Sequence, residues 1–150
     1  MSSPSDRFEC RWRASGRLLA AYLAAQGLAL IALLLLDIPF LLTFAGVLLC
    51  LAHGAWVLPR QVLLSHPHAY TRLRRSPDGW ALWCARDGWQ PVQLLPDSLA
   101  LPGLVVLRFR RKGRWWGQGL CIPADALAPD QHRRLRLRLK FSRRRWAASE

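Results

Sequence analysis

Four histidines and four cysteines are the side chains of this chain best suited to metal binding, nucleophilic attack or proton transfer. The histidines are His53, His66, His68 and His132; the cysteines are Cys10, Cys50, Cys84 and Cys121. Zinc sites built from local sequence need a Cys-x-x-Cys or paired Cys–His spacing, and none occurs. His66-Pro67-His68 places two imidazoles in one short link, which is weak grounds for a metal. His53 falls inside a long apolar run, and ionisable residues at such depth are functional candidates by default. It also lies about five residues from the end of that run, where a neutral imidazole can hydrogen-bond across to a neighbouring helix. That structural role is the favoured one. Asp97-Ser98 reads as a turn, because no histidine is tied to Ser98 by a motif. There is no Gly-rich phosphate loop, no HExxH and no GxSxG. No catalytic residue, metal or cofactor is therefore assigned, and an enzyme is the least supported class. The cysteines read as small apolar residues.

The elements that would carry these groups are unusual. Leu18–Leu36 and Phe40–Leu58 are apolar runs without a formal charge, separated only by Asp37, Ile38 and Pro39. At about 1.5 Å per residue each spans roughly 28 Å, the thickness of a bilayer's hydrocarbon core. Their closeness predicts a transmembrane helical hairpin. A signal peptide would have a shorter apolar core and a cleavage site. A soluble hairpin of this size would show a polar face on each helix. Arg7, Arg11, Arg13 and Arg17 precede the first run; Arg60, Arg72, Arg74 and Arg75 follow the second. The positive-inside rule then predicts both termini in the cytoplasm of a multi-pass protein. Trp12, Arg13, Arg17, Trp56 and Arg60 are the expected interface anchors, with Tyr22 a weaker one.

Residues 60–150 carry 18 Lys/Arg against 6 Asp/Glu, a balance of +12 out of a total +13. Partners of such a domain are anionic inner-leaflet lipid, an acidic protein or nucleic acid. The Arg133–Arg145 tail reads more readily as an anchor on anionic lipid than as a nucleic-acid binder. Short segments broken by turn residues predict five strands: Ala69–Arg75, Trp80–Arg86, Trp89–Leu95, Leu104–Arg110 and Trp115–Ile122. Asp-Gly pairs between them signal hairpins. Pro91 marks the third strand as an edge or a late starter. Residues 131–140 fit a helix capped by Asp130, although RLRLRLK also alternates like a strand; the cap and the good helix formers favour the helix. Arg143–Trp146 is expected to fray. The fold class is thus an α+β membrane protein, a two-helix transmembrane hairpin followed by a small antiparallel β-meander of about five strands and a C-terminal helix. The divisions are a basic arm (1–17), the hairpin (18–58) and a basic cytoplasmic domain (59–150).

Charge is densest on the last hairpin, where Arg108, Arg110, Arg111, Lys112, Arg114 and Trp115 form the candidate surface for a partner or for lipid. Gly27, Ala29, Gly46 and Gly54 are small enough to allow close helix contact, which suits a scaffold subunit of a membrane complex as a second reading.

Phe8-Glu9-Cys10-Arg11-Trp12-Arg13-Ala14-Ser15, placed just before a two-helix hairpin, resembles the start of the YgfX family, also called toxin CptA. An Asp-Gly-Trp segment, Leu95-Pro96-Asp97-Ser98, Val106-Leu107-Arg108-Phe109-Arg110 and Arg133-Arg134-Leu135-Arg136 resemble the same family in the same order, over residues 7–140. The resemblance implies a small bacterial inner-membrane protein, the toxin-like half of a pair with a small soluble flavinylation-factor-like protein of the SdhE/CptB type. It also implies interference with the division proteins FtsZ and MreB. It brings no catalytic residues to transfer.

Overall fold

In a computed structural model the described residues are 7–146, with side chains up to Phe141. Strand β1 (Phe8–Arg11) leads into helices α1 (Gly16–Leu35) and α2 (Phe40–Val57). A π-helical turn, Leu58–Val62, prolongs α2. The strands β2 (Tyr70–Ser76), β3 (Gly79–Cys84), β4 (Gly88–Leu94), β5 (Leu99–Ala100), β6 (Leu104–Arg111) and β7 (Gln118–Pro123) follow, and helix α3 (Pro129–Trp146) comes last.

Both N-terminal helices are long and apolar enough to cross a membrane. They touch each other through a few polar groups and one close glycine. Gln26 Nε2 donates to the Cys50 carbonyl at 2.7 Å. The Tyr22 hydroxyl and His53 Nδ1 lie 3.0 Å apart, with their rings stacked. A Cβ at Gly46 would stand 3.0 Å from Leu33, whereas one at Gly27 would meet nothing within 4 Å. His53 therefore has the cross-hairpin bond expected of it. Outward, the helices expose Leu, Ile and Phe.

All strand pairs are antiparallel, in the order β1-β2-β3-β4-β6, with β5 continuing along the β4 edge of β6 and β7 on the other edge. Gly79 and Gly88 take positive φ in the two short hairpin turns, the conformation that Asp-Gly turns need. Between β4 and β5 the chain leaves β6, and a side chain fills the gap. Ser98 Oγ donates to the Leu95 and Arg108 carbonyls and accepts from the Arg108 amide at 2.9 Å. The Asp97-Ser98 turn thus splices two strands.

The sheet curls. Tyr70 of β2 meets Phe109 of β6 edge-on, at 5.5 Å between ring centres, although two strands lie between them. Leu73, Leu82, Val105, Leu107, Phe109 and Ile122 fill the concave side, and Leu135 and Leu139 of α3 close it. Residues 131–140 are helix, but the helix already begins at Pro129, so Asp130 stands inside its first turn and is not the cap expected of it. The helical backbone runs through Arg143–Trp146, where fraying was expected; those side chains lie outside the described residues.

Two strands escaped the sequence reading. Segment FECR, read as part of a basic arm, pairs with β2 through Cys10↔Leu73 and buries Phe8 and Cys10. Strand β5 has two residues. Pro91 neither delays β4 nor puts it at the rim of the sheet: the strand starts at Gly88 and lies between β3 and β6, and Pro91 is tolerated where pairing with β6 has not yet begun, at Val92. The last strand begins at Gln118, because Gly113 and the Arg114–Gly117 loop leave Trp115 and Trp116 outside the ladder. The chain also ties α1 to the far end of the sheet. Arg13 N donates to the Ala126 carbonyl at 3.1 Å. Ser15 caps α1 by accepting from Leu18 N, and its hydroxyl donates to Asp125 at 2.6 Å.

Candidate functional site

Strand alternation sends Leu73 and Leu82 inward and leaves Arg72, Arg74, Ala81, Trp83 and Trp89 on the convex face. The register puts Arg72 beside Trp83 and Trp83 beside Trp89. Arg72 stacks over Trp83 at 4.9 Å, and Arg74 reaches across small Ala81 to stack over Trp89 at 4.3 Å. The Nε atoms of both arginines are buried and bonded to nothing among the described residues. Neither arginine has an acidic partner within ion-pair distance there. A cation–π contact returns about 0.5–1 kcal/mol at an exposed site, while an unmade buried hydrogen bond costs about 1–3 kcal/mol. This face therefore holds two arginines on an aromatic bed, each with one unmade Nε bond among the described residues, and Glu9 stands opposite Arg74 in the β1–β2 pair.

Four residues of the predicted charge cluster, Arg110, Arg111, Lys112 and Arg114, line one hollow beside Trp80 and Gln93, while Arg108 and Trp115 do not line it. Arg108 faces outward and pairs with Asp97 at 3.5 Å. Arg110, also outward, donates to Gln93 at 3.4 Å. Arg111 falls on the other side of β6, at the mouth of the curl, where it donates to Gln90 at 3.3 Å. Lys112 belongs to the turn, Arg114 stacks over Trp116 at 5.0 Å, and Trp115 is 84% exposed. Arg111 and Arg114 also meet Arg60, Trp56, Tyr70 and Trp116, around a cavity between α2 and the sheet.

The model of a family described as the membrane-bound toxin component of a toxin–antitoxin system matches residues 6–143. The chain belongs to the CptA toxin family. No curated protein and no solved structure matches it. Membership makes this CptA-family chain membrane-bound, with α1 and α2 as its candidate spans, and a toxin component implies an antitoxin as partner.

Within that frame the anchors separate. Trp56 is exposed on the last turn of α2, with the Arg60 guanidinium 4.7 Å over its ring. Arg13 and Arg17 are exposed beside the start of α1. Trp12 is no lipid anchor: it is 3% exposed in the sheet core, and its indole donates to the Tyr70 carbonyl at 2.9 Å. Continuation of β1 past Arg11 carried it inward, which a reading of 1–17 as an arm could not show. The chemistry-capable residues stay dispersed. Among the described residues no three His, Cys, Asp or Glu side chains come together as a metal set. His66 and His68 stack on each other, and His68 Nε2 accepts from Arg86 at 2.8 Å. Burial pushes the Cys10 thiol up to about 12, far from nucleophilic.

The Arg–Trp face could have been found from sequence. YTRLRRS alternates, so Arg72 and Arg74 share a side opposite Leu73, and short Asp-Gly turns fix which tryptophans stand beside them.

Proposed function

We propose that the convex Arg–Trp face of the sheet is where this membrane-bound toxin component is met by its antitoxin, a small soluble acidic protein of the SdhE/CptB type. The observation that carries this reading is the pair of guanidinium groups of Arg72 and Arg74, stacked over Trp83 and Trp89 with no carboxylate within ion-pair distance among the described residues. Guanidinium groups held over aromatic rings keep N–H donors for a carboxylate, which accepts such a fork bidentately. Half-buried Trp beside Arg, as at Trp83 and Trp89, is also the composition of interface hot spots. Arg108 and Arg110 prolong the face toward Lys112 and Trp115.

In this reading the hairpin holds the domain at the cytoplasmic face of the bacterial inner membrane, with both termini cytoplasmic. Arginines flank both helices, and Asp37 lies between them. Antitoxin bound on the convex face withholds it from FtsZ-like and MreB-like division proteins, whose assembly the free toxin disturbs.

The test is capture of an SdhE/CptB-like protein by the full-length chain from mild-detergent membranes. Arg72→Glu with Arg74→Glu lowers recovery by at least about tenfold, as expected of hot-spot residues. Arg111→Glu with Arg114→Glu lowers it less. Undiminished recovery with the first pair at low salt rejects the face as the docking site.

A further inference from the structure

The cavity at the junction of hairpin and sheet carries a second inference, independent of where the antitoxin docks. It encloses about 580 Å³ between the end of α2 and the mouth of the curled sheet. Three guanidinium groups line it, from Arg60, Arg111 and Arg114, and no Asp or Glu does. Trp56, Tyr70 and Trp116 supply its aromatic walls. Arg60 and Arg114 are oriented by stacking on Trp56 and Trp116, and Arg111 makes one bond to Gln90. Each guanidinium has five N–H donors, so all three keep donors for an anion.

Position chooses the anion. Trp56 lies on the last turn of α2, and Arg60 lies in the π-turn that ends the apolar stretch Phe40–Val62. Aromatic and basic side chains at such an end sit at headgroup depth. A soluble acidic segment must come in beside the bilayer surface to reach Arg111 and Arg114. A phospholipid arrives there with the bilayer itself, its phosphate level with the guanidinium groups and its acyl chains along α2. We infer that this cavity binds the phosphate of an anionic glycerophospholipid, clamped by Arg60, Arg111 and Arg114, from the leaflet that the domain faces.

Native mass spectrometry of the full-length protein, freed of lipid in mild detergent and offered equal phosphatidylglycerol and phosphatidylcholine, tests this. Retention of phosphatidylglycerol exceeds that of phosphatidylcholine by about tenfold, since each basic side chain near an anionic headgroup contributes appreciably. Arg111→Gln with Arg114→Gln removes the preference, whereas Arg72→Gln with Arg74→Gln, an equal change in net charge on the convex face, keeps it. Inorganic phosphate at matched concentration leaves the lipid bound. Equal retention of the two lipids by the unaltered protein overturns the proposal without recourse to any variant. Equal loss in both variants assigns the preference to net charge, and displacement by inorganic phosphate assigns the cavity to a free anion; either overturns it as well.

Discussion

His132, in the first turns of α3, is 4% exposed, with Nε2 bonded to nothing among the described residues. Burial first, and then Arg136 one turn on, holds its pKa below the usual value of 6.5. The unfolded chain therefore takes up a proton near pH 6.5 that the folded one refuses. Stability from this residue is complete above that pH and is lost as pH falls toward the lowered value. Thermal melting of the full-length protein in mild detergent is expected to drop between pH 7.5 and 5.5, and His132→Leu is expected to flatten that drop. Asp125 acts in a lower window. Its bonds from the Ser15 hydroxyl depress its pKa, so its contribution is present above about 3.8 and fades below. Trp12 is the residue whose role the sequence hid most. Its loss in Trp12→Ala is expected to cost about 3–5 kcal/mol, as for other buried aromatics, read from denaturant midpoints. Beside four arginines and a membrane helix, a tryptophan reads as an anchor. Only the pairing of FECR with β2 reveals that the chain continues inward.

Helices were the most legible elements, because two uninterrupted apolar runs have one economical solution. Their contact was partly legible too: His53 was expected to bond across the hairpin, and Tyr22 answers it. Glycine spacing did not say which glycine makes the contact. Gly46 is packed on Leu33 and Gly27 is not, so Gly46→Ile is expected to lower the melting temperature of the detergent-solubilised protein clearly more than Gly27→Ile. The Tyr22–His53 pair is expected to show a coupling energy of about 0.6 kcal/mol, the average for polar contacts between membrane helices, in a double-mutant cycle of Tyr22→Phe and His53→Phe. Among the strands, turn chemistry marked β2, β3, β4 and β6 to within two or three residues. Strand β5 was beyond reach, since two residues have no period and the Ser98 splice is a tertiary bond. The junction cavity was equally invisible, being built from pieces near residues 56–61, 70 and 111–116 that only the curl brings together.

At the scale of the molecule, the hairpin is inserted into the sheet domain rather than placed before it. Strand β1 lies on one side of it and the other strands on the opposite side, and the Arg13–Ala126 and Ser15–Asp125 bonds join the two. Residues 60–150 alone would leave the edge of β2 open and remove Phe8, Cys10 and Trp12 from the core. That fragment is therefore expected to be degraded by protease far faster than the same segment in the full chain, in a pulse-proteolysis comparison. The arrangement also sets an order of events on the ribosome. Cys10 emerges and then waits for Leu73, its partner 63 residues later; at about 5–20 residues per second that is several seconds of synthesis. Both apolar helices leave the tunnel during that wait. The sheet can be completed only after the whole segment between its first two strands has been made, so closure of this edge always follows synthesis of the apolar hairpin.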